Sequence, residues 1–100
     1  MRKKSNRRII REIEKWVGKN SFLFKVYGKW YVGITNSPYR RKQQHSSNHF
    51  WGIGKWKYWK AASIKQSRSI EKYFSKKGMT GGKVLGGAKR NSVYIYVYKI

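Results

Sequence analysis

Apolar residues recur at helical spacing over residues 6–17. Ile9, Ile10, Ile13, Trp16 and Val17 fall on one face, with Asn6 as the N-cap and Gly18 as the stop. The period then changes to two. Residues 21–27 and 30–34 are β-prone runs joined by Gly28-Lys29, a Gly-first pair suited to a type II′ hairpin turn. Asn36-Ser37-Pro38 supplies a cap and then Pro at the first helical position, which opens a short helix carrying Arg40, Arg41, Gln44 and His45. Residues 46–57 lose any period and read as a loop anchored by Phe50, Trp51 and Trp56. Helical spacing returns over residues 61–77, where Ile70 and Phe74 stand four apart and Gly78 ends the segment. A glycine-rich stretch leads to residues 92–98, a strand of alternating pattern. These elements predict an α+β fold: a small three-stranded antiparallel sheet, built from the N-terminal hairpin and the C-terminal strand, flanked by helices.

A chain of 100 residues has room for one domain with one modest core. Within it, residues 1–20 read as a basic amphipathic helical extension and residues 21–98 as the main module. With no cysteine, disulfides and thiolate metal sites are excluded, leaving His and carboxylate as the strong metal ligands and a reducing cytoplasm as the expected compartment. Ile9-Ile10 are followed at once by Arg11 and Glu12, so the basic start is not continued by a signal-peptide core. The longest apolar-aromatic run, residues 93–98, is far below the roughly 20 residues of a membrane-spanning helix.

Charge changes the picture most. There are 25 Lys and Arg against 3 acidic residues, all Glu, for a formal charge of +22 spread along the whole length. Such a surface is suited to polyanions, and with 17% aromatic residues it points to nucleic acid more than to a membrane surface. Arg7, Arg8, Lys29, Arg40, Lys42 and Arg68 are the candidate phosphate contacts. Glu12 and Glu14 sit in the first helix, where pairing with Arg8, Arg11 or Lys15 accounts for them. After Glu14 the chain keeps a single acid, Glu71. A carboxylate facing phosphates is a liability unless a cation lies between them, which nominates Glu71 as a metal ligand; pairing with Arg68, Lys72 or Lys76 is the structural alternative.

The chemistry-bearing residues follow in one order: a strand with Tyr31-Val32-Gly33, a helix with Arg41 eight residues after Gly33 and His45 one turn later, then a helix with Glu71. This order resembles the GIY-YIG nuclease superfamily, in which a hairpin bears two short motifs, the following helix an Arg and a later helix one metal-binding Glu. The likeness covers nearly all of the chain after the first helix. The first motif departs from the family, because Phe22-Leu23-Phe24 lacks both its glycine and its phenol. That leaves Tyr31 as the better general-base candidate, with Tyr27 and His45 as substitutes.

Phosphodiester hydrolysis needs a deprotonated water, positive charge on the phosphate and stabilisation of the leaving oxygen. Arg41 offers a planar fork for phosphate, Tyr31 or His45 a proton relay, and Glu71 a hold on Mg²⁺ or Mn²⁺. Tyr31, Arg41, His45 and Glu71 are thus the expected catalytic set. What the resemblance implies is a metal-dependent endonuclease on DNA, with RNA as a second candidate. It would have little sequence preference, cut one strand per active site, and act as a monomer or weak dimer, with a partner protein as the source of any specificity. It would work in the cytoplasm, or in a host cell's if carried by a mobile element. The alternative is a non-enzymatic basic RNA- or DNA-binding protein of ribosomal or nucleoid type. His49, Asn91 and Gly81, Gly82, Gly86 and Gly87 read as structural or turn residues.

Overall fold

The computed structural model describes residues 4–21, 27–47, 55–81 and 92–100. Helix α1 spans Asn6–Lys19, a 3₁₀ turn Tyr27–Lys29, strand β1 Trp30–Thr35 and helix α2 Pro38–Ser47. Strand β2 spans Trp56–Lys60, helix α3 Ile64–Lys76, and strands β3 and β4 Thr80–Gly81 and Tyr94–Lys99. The fold is α+β, and no helix among the described residues is long and apolar enough to cross a membrane.

Each helix start follows from side-chain capping of otherwise unpaired amides. Ser5, rather than Asn6, caps α1 by accepting from the Arg8 N–H at 3.2 Å. In α2, Pro38 occupies the first helical position as expected, and the Thr35 hydroxyl accepts from the Ser37 N–H at 3.0 Å. Helix α3 begins three residues later than residue 61, because Ser63 accepts from the Gln66 N–H at 3.1 Å and Gln66 Oε1 returns to the Ala62 N–H at 2.6 Å. That reciprocal pair is a variant of the capping box. Gly78 closes the helix with φ +116°, which favours glycine.

Among the described residues the sheet has four strands, in the order β2-β4-β1-β3, rather than the expected three. Strand β4 runs antiparallel to both β1 and β2, whereas β3 pairs parallel with β1, so the sheet is mixed. The expected hairpin differs as well. Residues 22–26 lie outside the described residues, and the chain enters β1 through the Tyr27–Lys29 3₁₀ turn. A type II′ turn would need positive φ at Gly28, and among the described residues only Gly78 and Gly81 have it.

Strand β4 is the organising element. The Ile100 N–H donates to Lys29 O at 2.8 Å, and the Lys99 and Ala61 N–H groups donate to Lys55 O and Val93 O at 3.0 and 2.7 Å. Antiparallel ladders alternate, so the even residues of β4 bond toward β1 and its odd residues toward β2. The peptide groups of Val32 and Ile34 then point away from β4, toward the β3 side of β1.

Alternation also separates the faces. Trp30, Val32, Ile34, Trp59, Ile95 and Val97 form a buried apolar face with Ile9, Ile13 and Val17 of α1 and Ile70 and Phe74 of α3. Trp16 joins them edge-on to Trp30 and Trp59, at centroid distances of 5.3 and 5.7 Å. Helix α1 therefore shares the core of the sheet. On the opposite face stand Tyr31, Gly33, Trp56, Tyr58, Tyr94, Tyr96 and Tyr98, and α2 reaches that face through His45.

Candidate active site

Three of the four expected catalytic side chains converge on the aromatic face. The His45 ring lies 4.8 Å from that of Tyr31. Its Nε2 is 3.0 Å from the Tyr96 hydroxyl, and its Nδ1 is 2.9 Å from the Tyr98 hydroxyl. A neutral imidazole has one donor and one acceptor nitrogen, so one phenol accepts from His45 and the other donates to it. Tyr31 stacks on Tyr98 and Tyr96 at 5.0 and 6.0 Å, and Trp56 stacks on the far side of Tyr96 at 4.9 Å. Arg41, half-buried one turn before His45, places Nη1 3.2 Å from Gln44 Oε1 and adds positive potential at Tyr96.

The glycine of Tyr31-Val32-Gly33 has a packing reason. Gly33 lies opposite Tyr96 in the ladder, and a Cβ there would overlap the Tyr96 ring. Only a bare backbone lets that ring lie flat and send its hydroxyl to His45. Gly81, at φ +95°, makes a similar approach to Val32 O and the Tyr31 ring.

Burial is the main cause that raises the Tyr96 phenol above its ordinary value, followed by the Tyr31 phenol beside it; Arg41 works against both. Burial and then Tyr31 push Tyr98 up to about 12. Both tyrosines therefore stay neutral phenols at physiological pH and serve His45 as hydrogen-bonding groups.

Glu71 approaches from elsewhere. Helix α3 packs under the apolar face, and the Glu71 side chain, only 7% exposed, accepts from the Ile34 backbone N–H. That amide belongs to the peptide joining the motif glycine to Ile34, two residues beyond Val32, which pairs with Gly81 of β3. Glu71 thus meets the motif at the edge of β1, while Tyr31, Arg41 and His45 lie over its face. Burial raises its carboxyl above the ordinary value, while Arg68 and the Ile34 amide favour its charged form. The cation acting on it is Arg68 of its own helix, not Arg41.

Among the described residues no group of three His, Cys, Asp or Glu could hold a metal ion. A single carboxylate does not make a closed cage. It does fit Mg²⁺, which keeps several waters and takes substrate phosphate oxygens as further ligands.

The other nominated residues divide between the layers. Arg40 and Lys42 are exposed on α2, and Lys29 is exposed in the 3₁₀ turn. Arg7 and Arg8 are exposed on α1 and Arg68 on α3. Tyr27, the substitute base, packs edge-on to Phe74 at 6.0 Å, in the layer away from Tyr31. Phe24, His49, Asn91, Gly82, Gly86 and Gly87 lie outside the described residues. Sequence reasoning missed Tyr96, Tyr98 and Trp56 as site residues. The alternating tyrosines of β4 were the available signal, since every second side chain shares a face.

Compared with known proteins, the chain matches no family model, no curated protein and no solved structure.

Proposed function

We propose that the protein is a metal-dependent endonuclease of the GIY-YIG type, hydrolysing DNA phosphodiester bonds with little sequence preference. The observation that carries this reading is the meeting of Tyr31 and His45 in one hydrogen-bonded aromatic cluster, with Arg41 near enough for its charge to act on Tyr96. Those residues come from two consecutive elements, β1 and α2, and motif order in the sequence nominates the same three. Arg41 grips a phosphate oxygen through its guanidinium fork. Tyr31, as its phenolate, takes the proton of the attacking water and becomes the phenol, and His45, held between Tyr96 and Tyr98, fixes the Tyr31 ring beside it. Glu71 holds a divalent cation, Mg²⁺ or Mn²⁺, which when bound supplies positive charge for the leaving oxygen. With one such site, a monomer cuts one strand at a time.

A second reading has a specific observation in its favour. Glu71 already has a structural occupation, accepting the Ile34 amide at the edge of β1 next to Arg68. A non-enzymatic nucleic-acid-binding protein would need nothing more from it. Tyr39, 77% exposed beside Arg40, would then serve to stack on bases.

Glu71→Gln separates the two readings, because Gln keeps an oxygen for the Ile34 amide and loses only the charge. On supercoiled plasmid at low salt with Mg²⁺ or Mn²⁺, the wild-type protein should convert closed circles to nicked ones. Glu71→Gln and Arg41→Ala should each lower that rate by about 10²-fold or more, and Glu71→Gln should retain DNA affinity. Tight binding by the wild-type protein without metal-dependent nicking sinks the enzyme reading.

A further inference from the structure

The candidate phosphate contacts do not form one surface. Arg40 and Lys42 project from α2 on the aromatic side of the sheet, while the outward faces of α1 and α3 are cationic on the opposite side. On α1, Arg7, Arg11 and Lys15 are all exposed and spaced i, i+4, i+8, turned away from the buried Ile9, Ile13 and Val17. On α3, Lys65, Lys72 and Lys76 are exposed and lie opposite Ser67, Ile70 and Phe74. The two helices pack beside each other: Gln66 Nε2 of α3 donates to Lys4 O, just before α1, at 2.8 Å. A surface groove of about 470 Å³ runs along α1, lined by Ser5, Arg7, Arg8, Arg11, Glu12 and Lys15.

Arg7 and Arg8 stand in the first turn of α1, which holds no acid, although the positive end of the helix dipole disfavours them there. Glu12 offsets only Lys4, at 3.0 Å, and Arg8, at 3.7 Å. A position four residues on is about 6 Å along the axis, so Arg7, Arg11 and Lys15 form a row about 12 Å long. A duplex carries one charge per about 1.7 Å, so such a row meets several phosphates at once.

We propose that the α1–α3 face binds the phosphate backbone of a second nucleic-acid duplex, so that one molecule bridges two duplexes. The second-duplex surface is argued from this face alone; the first, on the α2 side, rests on the proposed function. The shortest dimension of the molecule is 25 Å. That is about three Debye lengths at physiological salt, taking about 8 Å for each. Occupation of one face therefore leaves the other free to attract phosphate.

Capture of a fluorescent duplex by a different duplex fixed on beads tests the bridge. With a chelator present, the result does not depend on cleavage, and plasmid nicking reports separately on the enzyme reading. The wild-type protein should capture the second duplex, and capture should fall steeply with salt. Replacing Arg7, Arg11, Lys15, Lys65, Lys72 and Lys76 together by Gln should cut capture at least tenfold, yet leave a complex with a single duplex whose salt dependence is shallower. Exchanging the same Arg for Lys and Lys for Arg preserves charge and should preserve capture, and circular dichroism with thermal melting checks that each variant is folded. No capture by the wild-type protein overturns the proposal. So does undiminished capture by the folded Gln variant, which would place the second duplex elsewhere or assign bridging to self-association.

Discussion

The two faces of one sheet solve opposite problems with the same backbone. Under the sheet, Trp30, Val32, Ile34, Trp59, Ile95 and Val97 meet α1 and α3 through shape and apolar area. Over it, Tyr31, Trp56, Tyr96 and Tyr98 meet His45 and Arg41, and the polar tips must find partners. The apolar face is non-directional, so a change there is felt as lost volume. The aromatic face is directional, so a change of one oxygen alters a network. The lower face holds the fold and the upper one carries the candidate chemistry. Glu71 belongs to the lower layer by its helix and meets the motif at the edge between the two.

The comparison breaks most visibly at Phe74, fully buried between Tyr27 and Tyr73. Phe74→Ala should cost about 3–5 kcal/mol, read as a lowered midpoint in urea. Next comes Gly33→Ala, which forces a methyl group into the Tyr96 ring. A loss of about 1–3 kcal/mol is expected, together with a fall in plasmid nicking beyond what the remaining folded fraction explains. Equal losses of folded protein and activity would remove the link between Gly33 and the cluster.

Tyr96→Phe is the matching deletion of one oxygen on the upper face. It leaves His45 Nε2 without its phenol and should cost about 1–3 kcal/mol, with a change in the pH profile of nicking that Phe74→Ala does not show. Alkaline titration gives a smaller effect. The folded-state value of Tyr98 is raised, so its neutral form favours the folded state. That contribution is complete below the ordinary tyrosine range of about 10 and is lost as the pH rises through about 12. Phenolate absorbance should therefore rise late for this residue, and Tyr98→Phe should remove its share of the late component while that of Tyr96 remains.

The smallest effect on stability is expected at Glu71. Its carboxyl is raised, so its contribution to stability is present at acid pH, below the unfolded value, and lost as the pH rises through the folded one. Glu71→Gln should flatten that slope in melting experiments while abolishing nicking. A variant that loses stability at neutral pH instead would mean that the charge itself, not the oxygen at the Ile34 amide, secures the edge of β1.

Much of this was legible beforehand because it depends on neighbours in sequence. Helices α1 and α3 follow from apolar spacing and α2 from Asn36-Ser37-Pro38, whereas only hydrogen bonding fixes the starts at Ser5 rather than Asn6 and at Ser63 rather than residue 61. The loop expected over residues 46–57 takes in the first two residues of strand β2. Trp56-Lys57-Tyr58-Trp59-Lys60 lacks clean polar alternation, since Trp59 is buried below, Trp56 stacks above and Lys57 sits 5.5 Å from the Trp59 ring. A two-residue parallel strand such as β3 has no local signature, because its partners Tyr31 and Val32 lie about half the chain away. The same limit hid Tyr96 and Tyr98, which have no role until His45, some fifty residues earlier, is laid across them.

By itself the sequence determined the helices, the apolar stripes, the +22 charge and the nomination of Tyr31, Arg41, His45 and Glu71, because composition, short-range periodicity and motif order are written along the chain. Tertiary structure alone decided that Tyr96 lies on Gly33 and holds His45, that Glu71 arrives at the strand edge, and that the cations face two ways. Those outcomes depend on which strands pair, in what register and on which face each helix packs, and a one-residue slip would turn every side chain of a strand to the other side.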